Sequence, residues 1–121
     1  MSEKADRFNG GKNRLALIPV GPLWELGRVF TNGAKKYEAR NWEKGLSYTE
    51  CLDACLRHML KFMAGHVRDT EIDCHHLACA IWNLVVVLHM EQNPGLYSKF
   101  DDIPQYPAAV PNDSNPEEVE P

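Results

Sequence analysis

The sequence predicts an all-α fold, and three observations carry that expectation. Between Leu23 and Tyr37, apolar residues recur at spacings of three and four, the period of one helix face. Residues 47–64 repeat that period behind a capping signal. From Leu77 to Leu88, only Asn83 is clearly polar. A helix apolar on nearly every side must be buried on nearly every side. The third helix is therefore expected at the centre of a helical bundle. A core of about 90 residues buries only a modest share of its surface, so an oligomeric bundle is expected.

Along the chain, residues 1–13 read as a flexible polar arm ending at Gly10-Gly11. Residues 14–20 form a short apolar run stopped by Pro19, expected as an extended segment packed on something else. The first helix is expected from Gly21-Pro22, because proline suits the first turn. Gly33 lies inside its pattern and marks either a break or a close contact. Residues 38–47 read as a loop with Gly45 at a turn. Ser47 and Glu50 match a capping box, and Gly65 suits a left-handed stop, which places the second helix from Ser47 or Thr49 to about Ala64. Its expected apolar face is Leu52, Cys55, Leu56, Met59, Phe62 and Met63. A polar connection, His66 to Ile72, leads to a third helix from about Asp73 to Met90. Asn93-Pro94-Gly95 then breaks the pattern. Leu96, Tyr97, Phe100, Ile103 and Tyr106 are expected to strap residues 96–106 onto the core, with disorder beyond Pro107. The chain thus divides into an arm (1–13), an all-α domain (14–91) and a tail (92–121).

Charge follows the same division. The 121 residues carry 13 Lys and Arg against 17 Asp and Glu, a net −4. Residues 92–121 hold six acids, one base (Lys99) and six of the eight prolines. The tail is therefore acidic and proline-rich at −5, and residues 1–91 carry +1. Direct nucleic-acid binding is not expected of such a chain. No run of about 18 apolar residues exists to span a membrane, and Met1 to Gly11 has no apolar stretch resembling a secretory signal. A cytoplasmic location is expected, with Cys51, Cys55, Cys74 and Cys79 as free thiols.

Several polar groups need partners or have work to do. On the expected third helix, Asp73, His76 and Asn83 fall on one face, and a buried unpaired polar group is costly. Either Asp73 caps the helix and Asn83 bonds to backbone, or the three floor a site shared with the second helix. Glu50 and Asp53 lie one turn apart on that helix, beside Arg57 and Lys61. They are either a solvated, self-paired face or, with Asp73 and His76, a site for a hard divalent cation. Between the helices, Gly33 to Trp42 interleaves Lys35, Lys36 and Arg40 with Tyr37 and Trp42. Phosphates want the cations, and a base wants an aromatic face. The Asn41 amide offers donors and an acceptor to a base edge. The alternative is an ordinary solvated loop whose Trp42 fills the core. Lys12 and Arg14 add two further bases. A rival arrangement sets Cys51, Cys55 and His58 against His75 and Cys79 as a zinc clamp. The usual close Cys-x-x-Cys pair is missing, and cysteines on an apolar face usually pack, so Zn²⁺ is not favoured.

These residues resemble a known family. Gly11-Lys12 with Leu15 to Pro19, Gly33-Ala34-Lys35-Lys36-Tyr37, Asn41-Trp42, Leu52-Asp53-Ala54 with Leu56-Arg57-His58, and His76-Leu77-Ala78 with Asn83 occur in this order. The set resembles the phage dATP/dGTP diphosphohydrolase N-terminal domain family, which is similar to MazG-type all-α nucleotide pyrophosphohydrolases. The resemblance covers roughly residues 10–91. It implies an oligomeric MazG-like bundle that hydrolyses a (deoxy)nucleoside triphosphate, expected to be dATP or dGTP, to monophosphate and pyrophosphate. In a phage-encoded protein the work would be done in the host cytoplasm. Mg²⁺ or Mn²⁺ is expected on Glu50, Asp53, Asp73 and His76, with Glu50, Asp53 and His76 activating water. Lys35, Lys36 and Arg57 are expected at phosphates, with Tyr37, Asn41, Trp42, His58 and Asn83 completing the nucleotide site. The MazG carboxylate signature is absent, and Cys79 stands where the phage family leads one to expect a second histidine. Those departures motivate the alternative, a catalytically inactive relative that sequesters a nucleotide or nucleotide-derived signal, as in phage evasion of host immunity.

Overall fold

A computed structural model describes residues 4–106 and Val110. Its main elements are α1 (Val20–Lys36), α2 (Tyr48–Met63), a two-stranded antiparallel hairpin of β1 (Arg68–Asp69) and β2 (Cys74–His75), α3 (His76–Glu91) and a one-turn α4 (Pro94–Tyr97). Short 3-10 turns lie at Leu15–Leu17, Asn41–Lys44 and Ser98–Phe100. The architecture is mainly helical, as the periodicity requires.

Local chemistry sets the helix ends. The Ser47 hydroxyl accepts the N–H of Glu50 at 3.2 Å and caps α2. Gly65, at φ +99°, takes the left-handed conformation just beyond its end. α1 runs unbroken through Gly33, where a side chain would meet open space. The third helix begins three residues later than the sequence predicts. Asp73 sits before it at φ +57°, and the cap is His75, whose Nδ1 accepts the N–H of Leu77 at 3.0 Å.

α3 packs against both α1 and α2. One core cluster joins Tyr48 and Cys51 of α2 to Val86 and Met90 of α3 and Tyr97 of α4. A second joins Val29 of α1 to Cys74, Ala78 and Cys79. Trp82 packs against both clusters. The buried line of α2 is Tyr48, Cys51 and Cys55, one step round from the face expected. The small cysteines allow close approach to α3, and Leu56, Met59, Leu60 and Met63 turn outward. On α3, Leu77, Ile81, Leu84 and Leu88 form an exposed stripe, so within a single chain only one side of the helix is covered. Leu15, Leu17 and Ile18 are also exposed.

The segment after α3 is tied down. Tyr97 is buried, and its hydroxyl donates to the carbonyl of Glu43 at 2.7 Å. Leu96, Ile103 and Tyr106 remain exposed, so Tyr97 and Phe100 are the residues of the expected strap that pack. Apart from Val110, the segment beyond Tyr106 lies outside the described residues.

Candidate functional site

Between the C-terminal half of α1, the turn at 41–44, α2 and α3 lies a cleft of about 1180 Å³. Lys35, Lys36, Tyr37, Asn41, Trp42, Arg57, His58 and Asn83 all line it. α1 ends in Lys35 and Lys36, the left-handed Arg40 turns the chain back, and Asn41 and Trp42 form the facing wall. Arg57 and His58 reach the cleft from α2, and Asn83 from α3.

The cations differ in what holds them. Lys36 pairs with Glu71, which holds its ammonium above the ordinary lysine range. Arg40 pairs with Glu43 at 3.1 Å. Among the described residues, no ion pair engages Lys35 or Arg57. These two cleft cations therefore have no ion-pair partner to give up.

The aromatic groups divide their roles. Tyr37 is exposed on the rim, with the Lys36 ammonium 5.3 Å from its ring centre. Trp42 is half-buried, edge-on to Phe30 at 6.0 Å and to His89 at 5.2 Å. It packs on the core and lines the cleft together. Asn83 is buried and donates to the Cys79 carbonyl at 2.9 Å, the backbone bond expected of a core asparagine.

The residues expected to hold a metal do not gather. Glu50 and Asp53 are exposed on α2. Asp73 is off the helix altogether. It accepts from Arg68 Nε at 2.6 Å and lies 3.9 Å from Arg28, and Arg68 holds its carboxyl below the usual range. Among the described residues, none of the three belongs to a group of potential ligands, so they do not fit a shared hard-cation site. The zinc clamp is not assembled either, since His75 is occupied as a cap and His58 groups elsewhere.

His76 has different companions. Its Nδ1 lies 2.9 Å from Nδ1 of His58, and Asp69 Oδ2 lies 3.9 Å from the same His58 nitrogen. The hairpin carries Asp69 and delivers His76 to the start of α3, where its N–H donates to the Val67 carbonyl at 2.8 Å. Asp69 Oδ1 accepts the N–H groups of Glu71 and Ile72 at 2.9 and 3.0 Å. Burial pushes the Asp69 carboxyl up, but those two N–H groups and the histidines outweigh it and hold it low. Burial pushes His58 below its ordinary value; Asp69 opposes the shift, and His76, Lys61 and Arg57 reinforce it. The Asp69–His58 contact therefore sets a carboxyl held low beside an imidazole whose charged form burial disfavours. Sequence reading missed Asp69, placing it in a polar connection; the acid-rich turn between two helices was its only signal.

Comparison with known proteins gives a consistent picture. The family described as "dATP/dGTP diphosphohydrolase, N-terminal" matches residues 2–102. A dATP/dGTP diphosphohydrolase of Salmonella phage PMBT28 is 33% identical over 105 residues, covering 87% of this chain and 34% of the relative. The chain thus spans about a third of that relative's length. No solved structure shows a significant match. With the family matching across cleft and core alike, the chain belongs to the dATP/dGTP diphosphohydrolase N-terminal family.

Proposed function

We propose that the protein is a (deoxy)nucleoside triphosphate diphosphohydrolase, acting on dATP or dGTP and releasing monophosphate and pyrophosphate. One observation carries the reading. All eight residues expected to hold a nucleotide line a single cleft large enough for one. Lys35 and Arg57 would meet the phosphates, Lys36 would join them by releasing Glu71, and Tyr37 would stack on the base. Asn41 and Asn83 would offer amide edges. The activity named for the phage relative supports the same reading. Mg²⁺ or Mn²⁺ would accompany the triphosphate as its counter-ion, because so concentrated a negative charge is rarely handled by protein cations alone.

Self-association is part of the proposal. Leu77, Ile81, Leu84 and Leu88 recur at four, three and four residues along α3, each more than a third exposed. That is the spacing of a helix–helix seam. Light scattering after size exclusion is expected to report more than one chain.

A second reading has its own support. Glu50, Asp53 and Asp73 do not converge, which favours a protein that sequesters a nucleotide without cleaving it. One assay separates the two. Incubation with each dNTP and Mg²⁺ or Mn²⁺ is expected to release pyrophosphate, and Arg57→Ala is expected to suppress it. Retention of unchanged nucleotide without turnover would select sequestration. Absence of both binding and turnover would overturn both readings.

A further inference from the structure

We propose that His58, Asp69 and His76 bind one divalent transition-metal ion, from the series Mn²⁺ to Zn²⁺, in preference to Mg²⁺. One donor atom from each residue lies within 4.8 Å of the other two. Donors about 2.1 Å from a tetrahedral ion stand about 3.4 Å apart. The observed 2.9 Å between the histidine nitrogens and 3.9 Å from His58 to Asp69 bracket that spacing. Small side-chain movements would therefore complete the set.

The surroundings suit ligands better than a solvated polar patch. His76 is 3% exposed, and the side chains of His58 and Asp69 are 19% and 15% exposed. Asp69 spends one oxygen on the turn and leaves the other facing His58. That division fixes the carboxylate as outer hydrogen bonds fix metal ligands. Two histidine nitrogens and one carboxylate oxygen form a borderline donor set. Imidazole suits transition ions, whereas Mg²⁺ prefers oxygen and water. His58 and Asp69 line the cleft, so an ion held between them would border it.

The donors come from three elements: His58 from α2, Asp69 from β1 and His76 from the first position of α3. Of the four ligands first expected, only His76 is among them. The competing account is a plain His58–His76 hydrogen bond with Asp69 beside it, and no ion. Binding of the ion rests on the donor geometry alone; any use of it in hydrolysis rests on the function proposed above.

The test uses the full chain, stripped of metal and titrated with Co²⁺ without nucleotide. The expected result is one Co²⁺ per chain with a visible absorption band, retained in a hundredfold excess of Mg²⁺. Asp69→Asn keeps the oxygen that accepts from Glu71 and Ile72 but loses the anionic donor, and is expected to weaken Co²⁺ binding at least tenfold. His58→Gln is expected to abolish the band while circular dichroism stays helical. His76 is the more deeply buried, so His58→Gln and Asp69→Asn carry the test if a His76 variant fails to fold. No bound Co²⁺, binding unchanged in both variants, or displacement by equimolar Mg²⁺ would overturn the proposal and leave the plain hydrogen bond. Co²⁺ bound without any dNTP turnover would sink the hydrolase reading and leave the ion site standing. Turnover without bound Co²⁺ would do the reverse.

Discussion

Ser47 donates its hydroxyl to Asp102 Oδ2 at 2.5 Å, joining residues 55 positions apart. Asp102 also accepts from the backbone N–H of Thr49 at 2.9 Å and from its hydroxyl at 2.8 Å. A carboxylate from the C-terminal segment thus sits at the N-terminus of α2, where both the open N–H groups and the helix dipole favour negative charge.

Those donors depress the Asp102 carboxyl to about 2, the Ser47 hydroxyl being the largest cause, from an ordinary 3.8. A depressed carboxyl stabilises the fold above its unfolded value, and the contribution disappears as pH falls through the folded one. Asp102→Asn is expected to lower the Tm at pH 7. The difference from wild type should shrink between pH 4 and about 2, followed by thermal melts across that range. An unchanged Tm at pH 7 would show that the contact contributes nothing.

The cleft cations should separate by their existing partners. Lys35→Ala and Arg57→Ala are each expected to weaken dATP binding about tenfold, the loss of one hydrogen bond to a charged group. Glu71→Gln removes the competitor of Lys36 and is expected to tighten binding. Calorimetric titration at fixed salt reads all three. Weaker binding in Glu71→Gln would contradict the assignment of Lys36 to phosphate.

Gly45 offers a test of packing between the cleft wall and the C-terminal segment. It sits at φ +106°, and an added Cβ would lie 2.1 Å from the Phe100 ring. Gly45→Ala combines backbone strain with overlap and is expected to cost about 2–4 kcal/mol. Urea unfolding measures it. A cost below about 0.5 kcal/mol, the usual scale of a neutral surface change, would contradict the contact.

The thiols should be inert. All four cysteines are free and buried, and burial, with Cys74 and Asp69 nearby, pushes the Cys79 thiol up to about 12. At pH 8 almost no thiolate is present there to attack. Native protein is expected to resist iodoacetamide and to label fully in urea. Rapid native labelling of Cys79 would contradict this.

The legible parts of the fold were local ones. The Ser47 cap, the Gly65 stop and the period of Leu26, Val29 and Phe30 depend on neighbours within a few residues, so sequence carries them. The hairpin was illegible because two-residue strands have no period to read. Its presence moved Asp73 off α3 and brought Asp69 to the cleft. The rotated face of α2 was hidden for a different reason. Cys55 was expected on the apolar face. Cys51 looks like a weak apolar residue beside Leu56 and Met59, yet it is buried with Tyr48 on the side that meets α3. Lys35, Lys36, Tyr37, Asn41 and Trp42 were legible because cations interleaved with aromatics have recognisable chemistry, whereas Arg57, His58 and Asn83 were expected beside them only through the family resemblance. The grouping of His58, Asp69 and His76 depends on tertiary contacts between α2 and the hairpin.

The attachment of the C-terminal segment also sets how the molecule carries mechanical load. Tension applied to the chain beyond Tyr106 is borne first by Asp102 on Ser47 and Thr49, and next by Tyr97 on Glu43. The first anchor leads to the N-terminal turn of α2, and the second to the turn that carries Asn41 and Trp42. A pull on that end therefore loads the start of α2 and the 41–44 turn, two of the elements that wall the cleft.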